Sequence, residues 1–366
     1  MFFTRRPRSL VVLGIVAIVA LLLLVLNVFN LKSTSASTSI LPFHIASNLR
    51  RKPNLVVFGD SWSDDGSRPT PGDVIARVSM EGDLFYPQAQ ESQRRATRFG
   101  KGPGGRWSDG PVWPEYLCET AHCDSYINLA YGGAKVTNEF VDSPVPDLLA
   151  QDATYREIRR VLANGTLENH EPTAEELAEN RRTLFVFWFG INDLIQYVST
   201  LPLPVDRHRA VVRSVKIMFE VATALQVTFP GSNFLFMSSI DVTLLPVYIN
   251  QFVGEDAQLH KFREAVRLSQ TWHYETTVGL GNWDQTRGSL QYWDANKWYA
   301  RSISGVVKNG FKNVKDPCFD HSDKKLCSSP ETYFFWDTVH LTTAAHKSIA
   351  RQLSHISLWP EMSKIF

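Results

Sequence analysis

Continuous apolar runs, each closed by a glycine or a serine, recur along the chain. Leu55-Val56-Val57-Phe58 precedes Gly59, Leu184 to Phe189 precedes Gly190, and Phe234 to Met237 precedes Ser238. A strand with one wet face alternates polar and apolar residues, whereas a continuous run marks a strand covered on both faces, as in a parallel sheet. Tyr126-Ile127 before Asn128 predicts a shorter strand of the same kind. Between these runs the period changes. Val211, Val215, Met218, Phe219, Ala222 and Leu225 recur at helical spacing until Pro230-Gly231 stops them. Leu259, Phe262 and Val266 mark another helix, and a last one is expected over Thr343–Leu353. Strands alternating with helices predict an α/β fold: a three-layer α/β/α sandwich on a central parallel sheet, joined by right-handed crossovers. Pro69 to Gly105, rich in glycine, proline and polar residues, predicts a long loop.

The N-terminus follows a different pattern. Leu10 to Leu26, extended through Val28 and Phe29, is apolar and follows Arg5, Arg6 and Arg8. About 20 apolar residues at ~1.5 Å rise span the ~30 Å hydrocarbon core, and a cleaved leader usually has a shorter run. The expected organisation is a cytoplasmic arm over 1–9, a signal anchor or signal peptide over 10–29, a Ser/Thr-rich stalk over 30–52 and a folded domain over 53–366. The arginines orient the body to the lumenal or extracellular side, as in a type II membrane protein. Cleavage near Thr34-Ser35-Ala36 is the alternative, and would yield a secreted protein. The arm's three arginines more than account for the net charge of +1. No basic footprint for nucleic acid is left.

The four cysteines fall into two local pairs, Cys118 with Cys123 and Cys318 with Cys327. In an oxidising compartment they predict two short-loop disulfides. Buried free thiols and zinc ligation are the other uses, although neither pair is a CxxC. Asn164-Gly165-Thr166 is a glycosylation sequon in a polar stretch.

Four short segments carry candidate chemistry. Gly59-Asp60-Ser61 directly follows the first strand, where a hydroxyl would sit exposed on a strand-to-helix turn. Asp337-Thr338-Val339-His340 offers a base to remove the serine proton and a carboxylate to fix that base's tautomer. The glycines of Asn128-Leu129-Ala130-Tyr131-Gly132-Gly133 let backbone N–H groups approach a ligand. In Gly190-Ile191-Asn192-Asp193, the Asn192 amide could donate to an oxyanion. Singly, each segment equally fits a turn, a helix cap or a surface residue. In an α/β sheet all four would collect on one rim, at the carboxyl ends of the strands.

In the order Ser, Gly, Asn, Asp-x-x-His, these segments resemble the SGNH (GDSL) hydrolase superfamily. Gly102-Pro103-Gly104-Gly105-Arg106-Trp107-Ser108-Asp109-Gly110-Pro111-Val112-Trp113 resembles its GRxSNGxxW segment, and Phe335-Trp336-Asp337-Thr338-Val339-His340 its FWDxxHPT segment. With the paired cysteines these point to the fungal acetylesterase-like carbohydrate esterases. The resemblance runs from Leu55 to Leu353 and is weakest over 251–315. It implies a flavodoxin-like fold and Ser61 as nucleophile. His340 is then general base and later general acid, and Asp337 orients it. It implies an oxyanion hole built from the Ser61 N–H, the Gly133 N–H and the Asn192 amide. Gly133 is preferred to Gly132 because the family's glycine lies five residues after the asparagine matching Asn128. There are two departures: Leu341 stands for the family's proline after the histidine, and Asp109 for its asparagine. No cofactor and no metal are implied, and no HExxH-type spacing is present. The expected substrate is a small-molecule or oligosaccharide acetyl ester, taken by a monomer. The rivals are a lipase or lysophospholipase with the same triad, which a membrane anchor would suit, and a non-catalytic binding relative. Trp62, Trp107 and Trp336 flank the motifs, either as a sugar platform or as core.

Overall fold

The apolar runs are strands, each buried along its length. The structure is a computed structural model and describes residues 52–70, 105–163, 171–251, 256–305 and 310–360. Five strands, β1 (Asn54–Gly59), β2 (Ser125–Asn128), β3 (Thr183–Trp188), β4 (Asn233–Met237) and β5 (Ser289–Trp293), form one sheet in the order β2-β1-β3-β4-β5. Every pairing is parallel. All residues of β1, β3 and β4 are buried. Those of the edge strand β5 are only half-buried. Both faces are only partly covered, and the mixed run Ser289-Leu290-Gln291-Tyr292-Trp293 carries no continuous apolar signal, so it is not among the expected strands.

The helices are α1 (Trp113–Ala121), α2 (Leu148–Leu162), α3 (Ala174–Asn180), α4 (Ile191–Thr200), α5 (Pro204–Thr228), α6 (Pro246–Gln251), α7 (Asp256–Gly281), α8 (Ala295–Ile303) and α9 (Thr343–Leu353). The chain steps one way from β1 to β2, then the other way through β3 and β4 to β5. Right-handed crossovers therefore put α1 on one face of the sheet and α2, α5 and α7 on the other. Helix packing agrees, since α9 lies on α1, while α5 lies on α2 and α7. The result is the expected three-layer sandwich, with the flavodoxin-like strand order. The helix read from Val211 to Leu225 starts earlier, because Pro204 suits a first turn.

Aromatic side chains fill one side of the sheet. Phe58, Phe187 and Phe236, register neighbours across β1, β3 and β4, stack at 5.1 Å spacings. Tyr155 of α2 meets the edge of Phe58, and Phe219 of α5 stacks on Phe236 at 4.4 Å. On the other side, Trp113 of α1 packs against Trp188. Beyond the main sheet, β6 (Asn313–Pro317) pairs with β9 (Tyr333–Phe335), and β7 (Phe319–Asp320) with β8 (Lys325–Leu326). Both cysteine pairs are disulfides, with Cα separations of 5.2 Å for Cys118–Cys123 and 4.8 Å for Cys318–Cys327. The second closes the β7–β8 hairpin.

The arm, the apolar run, Asn164 and most of the long loop lie outside the described residues. Among the described residues no helix is long and apolar enough to cross a membrane.

Candidate active site

β1 stops at Gly59 and the chain turns at once, with the Ser63 and Asp64 N–H groups donating to the Asp60 carbonyl at 3.0 Å each. Ser61 rides on this turn as expected, but it is only 3% exposed rather than open to solvent, since His340 and its loop lie over it. Its Oγ lies 2.9 Å from Nε2 of His340. Nδ1 of His340 lies 2.9 and 2.8 Å from the two carboxylate oxygens of Asp337. Oδ1 of Asp337 also accepts the N–H groups of Val339 and His340, at 2.8 and 2.7 Å. The three-residue spacing thus folds the loop around its own carboxylate. A carboxylate at Nδ1 selects the tautomer protonated there, which leaves Nε2 to accept the serine hydroxyl. Burial opposes ionisation of Asp337. The charge of His340 and the hydrogen bonds from His321, His340 and the Val339 N–H outweigh it, and hold the carboxyl well below its usual range.

The turn after β2 approaches from the other edge. Gly132 donates its N–H to Oδ2 of Asp64 at 2.7 Å. Arg68 pairs with the same carboxylate at 2.7 and 2.9 Å. A Cβ on Gly132 would lie 2.1 Å from Nε1 of Trp107, and Trp107 stacks on His340 at 4.9 Å. Gly132 therefore leaves room for the ring that covers the imidazole. Gly133 follows with φ +88°, a conformation that favours glycine. Asn192, in the first turn of α4, donates from Nδ2 to the Ala134 carbonyl at 3.0 Å. The fold thus brings Asn192 to the Gly133 turn. A carboxamide has two N–H donors, and Ala134 needs one.

These three turns follow β2, β1 and β3, at the point where the strand order reverses and α/β sheets bind their ligands. The sequence model described as "GDSL-like Lipase/Acylhydrolase" matches residues 55–353. The chain belongs to this family. A thermolabile hemolysin of Vibrio parahaemolyticus is 24% identical over 80% of this chain, and the match spans 66% of the hemolysin, just under two thirds of its length. GDSL esterase/lipase 5 of Arabidopsis thaliana is 25% identical, over 81% of this chain and 80% of that protein. A solved carbohydrate acetylesterase from Sinorhizobium meliloti shares 14% identity, covering 83% of this chain and 99% of its own, with a TM-score of 0.31. A phospholipase A1 from Streptomyces albidoflavus shares 14% over the same shares, with a TM-score of 0.35.

Several residues of this GDSL site were not legible in the sequence. Gln151 of α2 is buried and accepts the Gly59 N–H at 3.0 Å while donating to the Gly59 carbonyl at 2.9 Å. It clamps the last residue of β1, two before Ser61. Nothing in its local sequence marks it. Trp62 donates its indole N–H to the Val339 carbonyl at 3.2 Å, tying the serine turn to the histidine loop. Trp62 and Trp336 are buried, so the platform reading fails for both, and they are packing. Asp64 was one acidic residue among several in a turn. His321 lies 3.3 Å from Oδ2 of Asp337.

Both departures from the family pattern have structural explanations. Asp109 accepts the Thr343 N–H at 2.7 Å, so it secures the first residue of α9. Leu341 is fully buried and bridges Phe335. Thr342 caps α9 through the Ala345 N–H without help from a proline.

Buried titratable side chains flank the site residues: Asp60 beside Ser61, Asp193 beside Asn192, and Lys135 two residues after Gly133. Burial, with the nearby charges of Asp193 and Asp64, pushes the Asp60 carboxyl up to about 7. Burial likewise pushes Asp193 up to about 7. Asp193 accepts the Val136 N–H at 3.0 Å. Lys135, also buried, donates to Gln196 and to the Val141 carbonyl. Among the described residues no group of three or more His, Cys, Asp or Glu is arranged to hold a metal ion.

Proposed function

We propose that the protein is a serine ester hydrolase that works through a covalent acyl-enzyme. The observation that carries this reading is the unbroken hydrogen-bonded chain from Ser61 through His340 to Asp337. In the mechanism, Nε2 of His340 takes the Ser61 proton as Oγ attacks the ester carbonyl. The oxyanion develops toward the Ser61 N–H, the Gly133 N–H and the Asn192 amide. The imidazolium, stabilised by Asp337, then protonates the leaving alcohol. Water repeats the sequence on the acyl-enzyme. Of the two adjacent glycines, Gly132 already gives its N–H to Asp64, which supports Gly133 as the donor.

The acyl group in this reading is acetyl and the leaving group a carbohydrate. Ser61 is nearly buried, and Trp107 covers one face of His340. So enclosed a hydroxyl suits a short acyl chain. The resemblance of Trp107–Trp113 and Phe335–His340 to acetylesterase segments supports the same choice. A lumenal or extracellular location, behind an anchor or after leader cleavage, fits the two disulfides.

The test is kcat/KM on nitrophenyl esters of graded chain length, with acetate release from acetylated xylo-oligosaccharides alongside. Each methylene buried in a long groove would add about 0.8 kcal/mol, so a lipase improves from acetyl to octanoyl. Activity should instead fall steeply beyond propionyl. A maximum at octanoyl or longer would replace the acetyl reading with a lipid substrate. Ser61→Ala should abolish hydrolysis with the circular dichroism unchanged, and a serine-reactive phosphonate should label Ser61 alone. Labelling elsewhere would remove Ser61 from the mechanism.

A further inference from the structure

Two histidines face the carboxylate of Asp337. His340 meets it through Nδ1, and the Nε2 of His321 lies 3.3 Å from Oδ2. His321 is delivered by a small built structure. It follows β7 inside the hairpin closed by Cys318–Cys327. That hairpin is sewn to the segment preceding Asp337, with Cys318 N–H donating to Phe335 and Phe319 N–H to Trp336, at 3.0 and 2.7 Å. Phe319 stacks on Trp336 at 5.4 Å and meets the His321 ring in a T-shaped contact at 5.0 Å. The Asp337 side chain is almost wholly buried, while that of His321 is 43% exposed. Protons from solvent therefore reach His321 directly.

We propose that His321 is a positioning residue for Asp337, holding Oδ2 and setting, through its own charge, how strongly His340 acts as a base. This inference rests on the Ser61–His340–Asp337 reading above. A neutral His321 donates Nε2–H to Oδ2 and fixes the carboxylate plane. A protonated His321 does the same with a positive charge added. That charge competes with an imidazolium at His340 for the one carboxylate, so activity that depends on a free base should persist to lower pH with His321 present than without it. The charges acting on His321 are Asp337, through both hydrogen bond and field, and its chain neighbour Asp320. Both favour its protonated form, the hydrogen bond to Asp337 most, against a smaller opposing effect of burial.

The experiment compares His321→Gln and His321→Ala with the wild-type chain, measuring kcat and KM for nitrophenyl acetate from acid to alkaline pH. Glutamine keeps a donor but carries no charge. It should retain kcat on the alkaline side within about 3-fold, while the acid limb of kcat/KM moves up by about half a pH unit or more. Alanine should lower kcat by about tenfold at unchanged KM, the size expected for one hydrogen bond to a charged group. Its acid limb should move up as well. A purely structural role would lower activity without shifting the limb in either variant, and that result overturns the proposal. So does an alanine variant with wild-type kcat and limb. Ser61→Ala runs in the same assay. If it still turns over, the underlying reading fails. If it is inactive and the His321 variants are unchanged, only the role of His321 falls.

Discussion

Asn192 shows how one side chain acquires a chemical position. Its backbone belongs to the first turn of α4, directly after β3, and its amide reaches across to the Ala134 carbonyl. That bond orients the carboxamide toward the Gly133 turn. If the second N–H meets the oxyanion, it acts mainly in the transition state. Asn192→Ala should then lower kcat by roughly 10²–10³ with little change in KM. Steady-state kinetics on the best nitrophenyl ester measures this, and near-wild-type kcat would reduce Asn192 to a brace for the Ala134 carbonyl. Trp107 and Gly132 form a second such pair, since the ring that covers His340 occupies the space a Cβ would need.

At the scale of elements, the site depends on how strand ends are held. β1 pairs with β2 and β3 on its two sides, yet its last residue, Gly59, has both backbone groups tied to the Gln151 side chain of α2. The Gly59 carbonyl also accepts the Tyr131 N–H at 3.1 Å. Gln151→Leu would strand the buried Gly59 N–H and weaken the joint between α2 and the serine turn. A buried unpaired donor costs about 1–3 kcal/mol. The variant should unfold at correspondingly lower denaturant, with a raised KM or lowered kcat even where it is still folded. Urea titration followed by circular dichroism gives the first quantity. An unchanged midpoint would mean that another group or water satisfies Gly59. At the start of α9, Asp109 and Thr342 share the work that a proline does elsewhere in the family.

For the whole molecule, buried titratable groups set the pH dependence of stability. His346 of α9 is buried, and neither ring nitrogen has a hydrogen-bond partner among the described residues. Burial, then the charge of His340, lowers it to about 3. Below about pH 6.5 the unfolded chain takes up a proton that the folded chain refuses, so wild-type stability drains away as pH falls from there toward 3. Asp60 and Asp193 act in the opposite sense. Each stays protonated in the folded state up to about 7, while the unfolded chain ionises near 3.9, so their penalty grows as pH rises through that window. His346→Leu isolates the first effect. Relative to wild type it should gain up to about 1.4 kcal/mol of stability per pH unit between neutrality and pH 5. Urea midpoints at several pH values test this, and a pH-independent difference would show that His346 is protonated inside the fold.

The central strands of the sheet were written into the chain as local patterns. Leu55–Phe58, Leu184–Phe189 and Phe234–Met237 announced themselves because a strand buried on both faces must be apolar throughout. The Asp337–His340 spacing was equally legible, since one loop carries both groups and folds around the carboxylate they share. The segments holding Ser61, Gly133 and Asn192 each follow a strand, where an α/β sheet opens its ligand crevice, but the choice of these residues came from the resemblance to the SGNH hydrolases. The edge strand β5 escaped notice, as half-burial erases the apolar signature. Gln151, Trp62, Asp64 and His321 escaped for a different reason. Each acts on a residue far away in sequence: Gln151 on Gly59, Trp62 on Val339, Asp64 on Gly132, His321 on Asp337. A hydrogen bond between residues tens of positions apart exists only once crossovers have set the strand order and brought their loops to one rim. Local sequence therefore determined the strands and the motif residues, while tertiary structure alone decided which side chains hold those motifs in register.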